Sequence, residues 1–98
     1  MKTKDKIFIF HQDPGHGWLE VSRADLADVG VKPASISPYS YFKGDSFFLE
    51  EDCDLTIFWN AFKLKYGCKP EIIDSYESPT PIRGYANIPQ APGGWIPA

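Results

Sequence analysis

Leu55, Phe58, Trp59, Phe62 and Tyr66 fall at i, i+3, i+4, i+7 and i+11, a stripe that a helix of 3.6 residues per turn gathers onto one face. Lys63 and Lys65 lie in the final turns, where the helix dipole favours cations. Gly67 stands just past the end and Pro70 prevents continuation. The acidic run Glu50-Glu51-Asp52-Cys53-Asp54 opens the helix, each carboxylate stabilising its N-terminus by about 0.3–1 kcal/mol. So amphipathic a helix has to bury its stripe against a second layer, and the strand patterns elsewhere supply one.

The strand Lys6–His11 is apolar on both sides, Ile7/Ile9 and Phe8/Phe10, the pattern of a central or doubly covered strand. Asp13-Pro14-Gly15-His16-Gly17 forms a turn: Pro presets φ, Gly accepts positive φ, and Asp bonds the backbone beyond it. Trp18-Leu19-Glu20-Val21 resumes the strand, so residues 6–21 read as an antiparallel hairpin. Ser22 and Asp25 make a variant capping box for a two-turn helix with Leu26 and Val29 on its apolar side, closed by Gly30. After a loop from Lys32 to Pro38, a second hairpin comprises Tyr39–Phe42, the turn Lys43-Gly44-Asp45 and Ser46–Leu49. Glu71–Tyr76 is the last predicted strand, ended by Pro79 and Pro81. This order, β-β-α-β-β-α-β, predicts one α+β domain over residues 1–87, with two helices packed on one face of a small, mainly antiparallel sheet. Residues 88–98 form a Pro/Gly-rich C-terminal tail, with Trp95 and Ile96 as its candidate anchors.

Composition bounds the function. Ninety-eight residues suit one domain, and 43% hydrophobic with 23% charged residues exclude a disordered or fibrous chain. No apolar run approaches the roughly 20 residues of a membrane helix. A net charge of −3 argues against general nucleic-acid binding, and only Lys43 and Arg83 stand among the aromatics where a stacking platform needs cations. Cys53 and Cys68 bracket the long helix, about 22 Å apart at 1.5 Å per residue, far beyond the roughly 6 Å of a disulfide. Unpaired thiols and no export segment favour a reducing cytoplasm.

Three features bear on chemistry. His11 and Asp13 share a strand face, and the turn folds His16 toward them; two imidazoles and a carboxylate are a metal-binding or acid–base set. The plainer reading is a tight turn with polar ends, since no H-E-x-x-H or CxxC spacing supports a metal. Cys53, at a helix start, is a candidate nucleophile paired with His11 or His16, yet Glu50, Glu51, Asp52 and Asp54 surround it and disfavour a thiolate. Trp18, Tyr39, Tyr41 and Tyr85 are candidate exposed anchors, because Trp and Tyr dominate binding hot spots. No cofactor motif occurs.

The segment His11-Gln12-Asp13-Pro14-Gly15-His16-Gly17-Trp18-Leu19-Glu20-Val21, with Ser37-Pro38-Tyr39-Ser40-Tyr41 and Leu49-Glu50-Glu51-Asp52-Cys53-Asp54, resembles a group of small uncharacterised proteins encoded by phages, plasmids and prophages. The resemblance covers roughly residues 6–85 and implies a mobile-element setting in a bacterial host; it transfers no catalytic residue. The expected function is a non-enzymatic protein-interaction module, an inhibitor of a host defence system being one form. Its partner is a host or phage protein, and its contact surface comprises Asp13, His16, Trp18, Tyr39, Tyr41, Glu50, Glu51 and Asp52. The alternative is a small metal- or thiol-dependent enzyme using His11, Asp13, His16 and Cys53, and the third reading is a nucleic-acid-binding accessory protein. The sequence does not define an oligomeric state.

Overall fold

A computed structural model describes residues 3–77 and 81–87. The first hairpin comprises β1 (Ile7–Gln12) and β2 (Gly17–Ser22), followed by α1 (Arg23–Asp28). β3 (Tyr41–Lys43) and β4 (Ser46–Glu50) form the second hairpin, α2 (Leu55–Tyr66) and β5 (Glu71–Tyr76) complete the predicted order, and a short β6 (Ala86–Asn87) adds a strand the sequence did not announce. The sheet order is β5-β1-β2-β4-β3-β6, with β1 and β5 parallel and the other neighbours antiparallel. α2 therefore carries the chain from β4 past two strands to the far edge, the kind of crossover by which two strands come to run the same way.

Alternation along the strands divides the side chains between two faces. Phe8, Leu19, Val21, Phe47 and Leu49 point to one, where they meet Leu26 of α1, Val31, Ile36, and Phe58 and Phe62 of α2. Phe8 stands edge-on to Phe58 and Phe62, with ring centroids 5.3 and 6.1 Å apart. Both helices thus lie on one face of a mainly antiparallel sheet, as the pattern predicts, and each large side chain buried there contributes about 1.5–3 kcal/mol. On the opposite face Trp18, Phe48 and Ile82 make a smaller cluster with Tyr41 and Tyr85. Ile82 comes from a 3-10 turn, Pro81–Gly84, that closes over the sheet.

The α1 capping box is complete: the Asp25 N–H donates to Ser22 Oγ at 3.0 Å, and the Ser22 N–H donates to Asp25 Oδ2 at 2.8 Å. Two expectations change. The acidic run supplies turns at residues 51–54 rather than helical residues, and Asp54 stands at the N-cap of α2 with its carboxylate bonded to Ser37 and Ser40 instead of to the helix. β1 is central in the sheet but covered on one face only, Phe8 being buried while Ile7 is 51% exposed. Pro79 and the tail with Trp95 and Ile96 lie outside the described residues.

Candidate functional site

The end of the sheet where β2 begins and β4 finishes carries an open cleft of about 350 Å³ with three walls. His16 and Trp18 come from the β1–β2 turn and the start of β2, Pro38, Tyr39 and Tyr41 from the loop into β3 and its first residue, and Glu50, Asp52 and Cys53 from the end of β4 and the turn into α2.

The first wall is set by Asp13. Its Oδ1 accepts from the Gly15 and His16 N–H groups at 2.9 and 3.0 Å, and its own N–H donates to the His16 carbonyl at 3.0 Å. A side chain bonding two residues on is what makes Asp a turn former. The fixed turn brings the His16 ring to 5.9 Å from that of Trp18, which meets Tyr41 at 6.0 Å. The Glu51 N–H donates to the Gly17 carbonyl at 3.0 Å, tying this wall to the third.

The second wall hangs on Asp54, which is 1% exposed. Its carboxylate accepts from the Ser37 N–H at 3.0 Å, from the Ser37 hydroxyl at 2.6 Å and from the Ser40 hydroxyl. Ser40 Oγ in turn accepts from the Glu50 N–H at 2.9 Å. Pro38 and Tyr39 are thereby held between two anchored serines, and Tyr39 projects with 68% of its surface exposed.

At the third wall the Glu50 side chain is turned inward, leaving the residue 6% exposed. Its Oε2 accepts from the Asp52 N–H at 2.8 Å, and its Oε1 lies 3.6 Å from His16 Nδ1. Cys53 is exposed and unbridged, as is Cys68. Local desolvation, then the hydrogen bond to Glu50, then the charges of Glu50, Asp54 and Asp52 push the Cys53 thiol above its ordinary value of 9.0.

The expected contact residues are only partly where sequence reasoning puts them. His16, Trp18, Tyr39, Tyr41, Glu50 and Asp52 do share the cleft, whereas Glu51 is exposed beside it. Trp18 is not an exposed anchor but 2% exposed, because Ile82, Tyr41 and the His16 ring pack around it. Asp13, 7% exposed, is occupied in shaping its turn. Tyr85 packs on Phe48 at 5.1 Å and lies beneath the Lys43 ammonium at 5.0 Å, away from the cleft. The set His11, Asp13 and His16 is not assembled: His11 Nε2 sits 2.7 Å from Glu20 Oε1, and His16 turns toward Glu50. Among the described residues no group of three or more His, Cys, Asp or Glu side chains is arranged to hold a metal ion. The Cys53–His16 pair shares the cleft, with the Glu50 carboxylate in contact with both.

Sequence reasoning missed the Asp54–Ser37–Ser40 linkage. Its only trace is a pair of serines flanking Pro-Tyr, a pattern equally at home in a solvent loop.

No protein-family model, curated protein or solved structure matches the chain. Among the described residues no helix is long and apolar enough to cross a membrane. The Asp13–Trp18 turn, Ser37–Tyr41 and Leu49–Asp54 meet around this one cleft.

Proposed function

We propose that the chain is a non-enzymatic protein-interaction module that receives part of a partner protein in the cleft between Trp18, Tyr39 and Glu50. The observation that carries this reading is the convergence of three chain segments, each fixed by its own side-chain-to-backbone hydrogen bonds, on one aromatic and acidic cleft. Pre-formed clefts with a few convergent polar groups are where ligands bind, and aromatic side chains supply most of the contact energy. A phage or other mobile element is the setting that the resemblance suggests, with a host protein, including a component of a defence system, as partner in the bacterial cytoplasm. Affinity capture from host lysate with wild type, Tyr39→Ala and Tyr41→Ala tests the surface. A specific partner should be lost from both variants while folding is retained. A partner held equally by all three chains would place the contact elsewhere.

A thiol-dependent enzyme is the second reading, favoured by the presence of His16 and Cys53 in one cleft. The carboxylates around the sulfur weigh against it, since they suppress the thiolate that such chemistry requires.

A further inference from the structure

We propose that the cleft takes a cationic side chain, a guanidinium or ammonium group, presented by the partner polypeptide; this deepens the interaction reading above and rests on it. Three observations lead there. The cleft holds a carboxylate that is almost entirely removed from water, Glu50, at 6% exposure, and a second, Asp52, at its exposed edge. Neither is neutralised by a permanent cation: among the described residues the Lys and Arg ion pairs are Lys6–Asp25, Arg23–Asp45 and Lys65–Asp28, all elsewhere on the molecule. Among the described side chains the basic group facing Glu50 is His16, at 3.6 Å, with half its side chain in solvent.

The Glu50 carboxylate is met by the Asp52 N–H, the Cys53 thiol and His16, none of them a permanent charge, and an incoming cation adds a charge-assisted partner that an apolar or anionic group cannot supply. The remaining walls suit the same occupant. Tyr39 and Tyr41 line the cleft, and tyrosine rings attract a cation most strongly where water is displaced. A volume of about 350 Å³ has room for one long side chain whose methylenes lie along Pro38 and the tyrosines while its charged end reaches Glu50. The net charge of −3 draws such a partner in the same sense at long range.

The test is an NMR titration of the full chain with three blocked tripeptides of sequence Gly-X-Gly, where X is arginine, lysine or norleucine. The arginine and lysine peptides should shift the Trp18 indole and the amides of Tyr41, Glu50 and Asp52 saturably, with Kd of about a millimolar for so small a probe. The norleucine peptide should leave them in place. Glu50→Gln, which keeps the acceptor for the Asp52 N–H, and Asp52→Asn at the exposed edge should each weaken the response, Glu50→Gln by about tenfold. Equal shifts with norleucine, or unchanged affinity in both variants, would overturn the cationic occupant while leaving the cleft as a binding surface. Absence of any shift with the cationic peptides would overturn it as well. Indifference of partner capture to Tyr39→Ala and Tyr41→Ala is the separate result that removes the interaction surface itself.

Discussion

A Cβ atom on Gly17 would lie 2.2 Å from Cζ of Phe10, so the phenyl ring occupies the space a side chain at position 17 would need. The two residues sit diagonally across the β1–β2 pair, Gln12 facing Gly17 and Phe10 facing Leu19, on the face that carries the helices. Glycine is required here for close approach. Gly17→Ala should force the ring toward the core and lower stability by about 1–3 kcal/mol, read from urea unfolding. Phe10→Leu in the same chain should recover part of that loss. If the two substitutions simply add, the ring and the glycine do not share this space.

Asp54 is the second position where one group holds several others. Its buried carboxylate satisfies the Ser37 N–H and two serine hydroxyls, so Asp54→Ala leaves the buried Ser40 hydroxyl and the half-buried Ser37 donors without this acceptor. We expect a loss of about 2–4 kcal/mol in the unfolding free energy. Ser40→Ala should cost less, about 1 kcal/mol, because Ser37 still engages the carboxylate. If Asp54 also builds the cleft, amide shifts in Asp54→Ala should spread to Tyr39, Tyr41 and Glu50. Shifts confined to α2 would reduce Asp54 to a helix-end residue.

These two cases mark what could be read from the chain and what could not. Both hairpins and both helices follow from local patterns: Pro-Gly and Lys-Gly-Asp turns, period-two alternation, and the stripe through Phe58 and Phe62. The parallel pairing of β1 with β5 joins Ile7 to Glu71, and no local signal specifies a partner so distant in sequence. Trp18 alternates with Leu19 and Val21, so it falls on the face without helices, which reads as solvent until Ile82 arrives from a Pro-flanked segment. The start of α2 is misread for a similar reason. Asp54 looks like a helix-opening acid, and only the fold reveals that Ser37 and Ser40 claim its oxygens. The cleft itself was legible as composition, aromatic and acidic residues in three stretches, but the inward turn of Glu50 was not.

Asp25 links pH to stability. Burial raises its carboxyl, but the hydrogen bonds from Lys6 and from the Ser22 backbone and hydroxyl, together with the Lys6 charge, outweigh burial and hold it below its ordinary value of 3.8. A carboxylate whose folded-state value is depressed stabilises the fold fully above the unfolded value and loses that contribution as pH falls through the folded one. Asp25→Ala should therefore lower stability at pH 7 by about 1–2 kcal/mol, the capping box and the partly screened Lys6 pair combined. The ionic part of the difference should shrink as the pH is taken below 3.8, the value from which the group is depressed. A wild-type-minus-variant difference that is flat between pH 7 and pH 2.5 would show that the charge of Asp25 contributes nothing.

The Cys53 thiol provides a direct probe of the electrostatics inside the cleft. It is exposed, so a small alkylating reagent can reach it, yet desolvation, the Glu50 hydrogen bond and the surrounding carboxylates hold it above 9.0. Since the thiolate is the reacting species, iodoacetamide at pH 7.5 should modify Cys53 more slowly than it modifies an unstructured cysteine peptide, followed by mass spectrometry of the digested chain. Glu50→Gln removes a neighbouring negative charge and should accelerate Cys53 by about threefold or more, with no change at Cys68 beyond the other end of α2. The same substitution weakens capture of a cationic peptide, so one carboxylate should govern two independent measurements with opposite signs. A Cys53 that alkylates faster than the free peptide in the wild-type chain would mean an activated thiol, and the thiol-dependent reading of the cleft would then take precedence over the binding module.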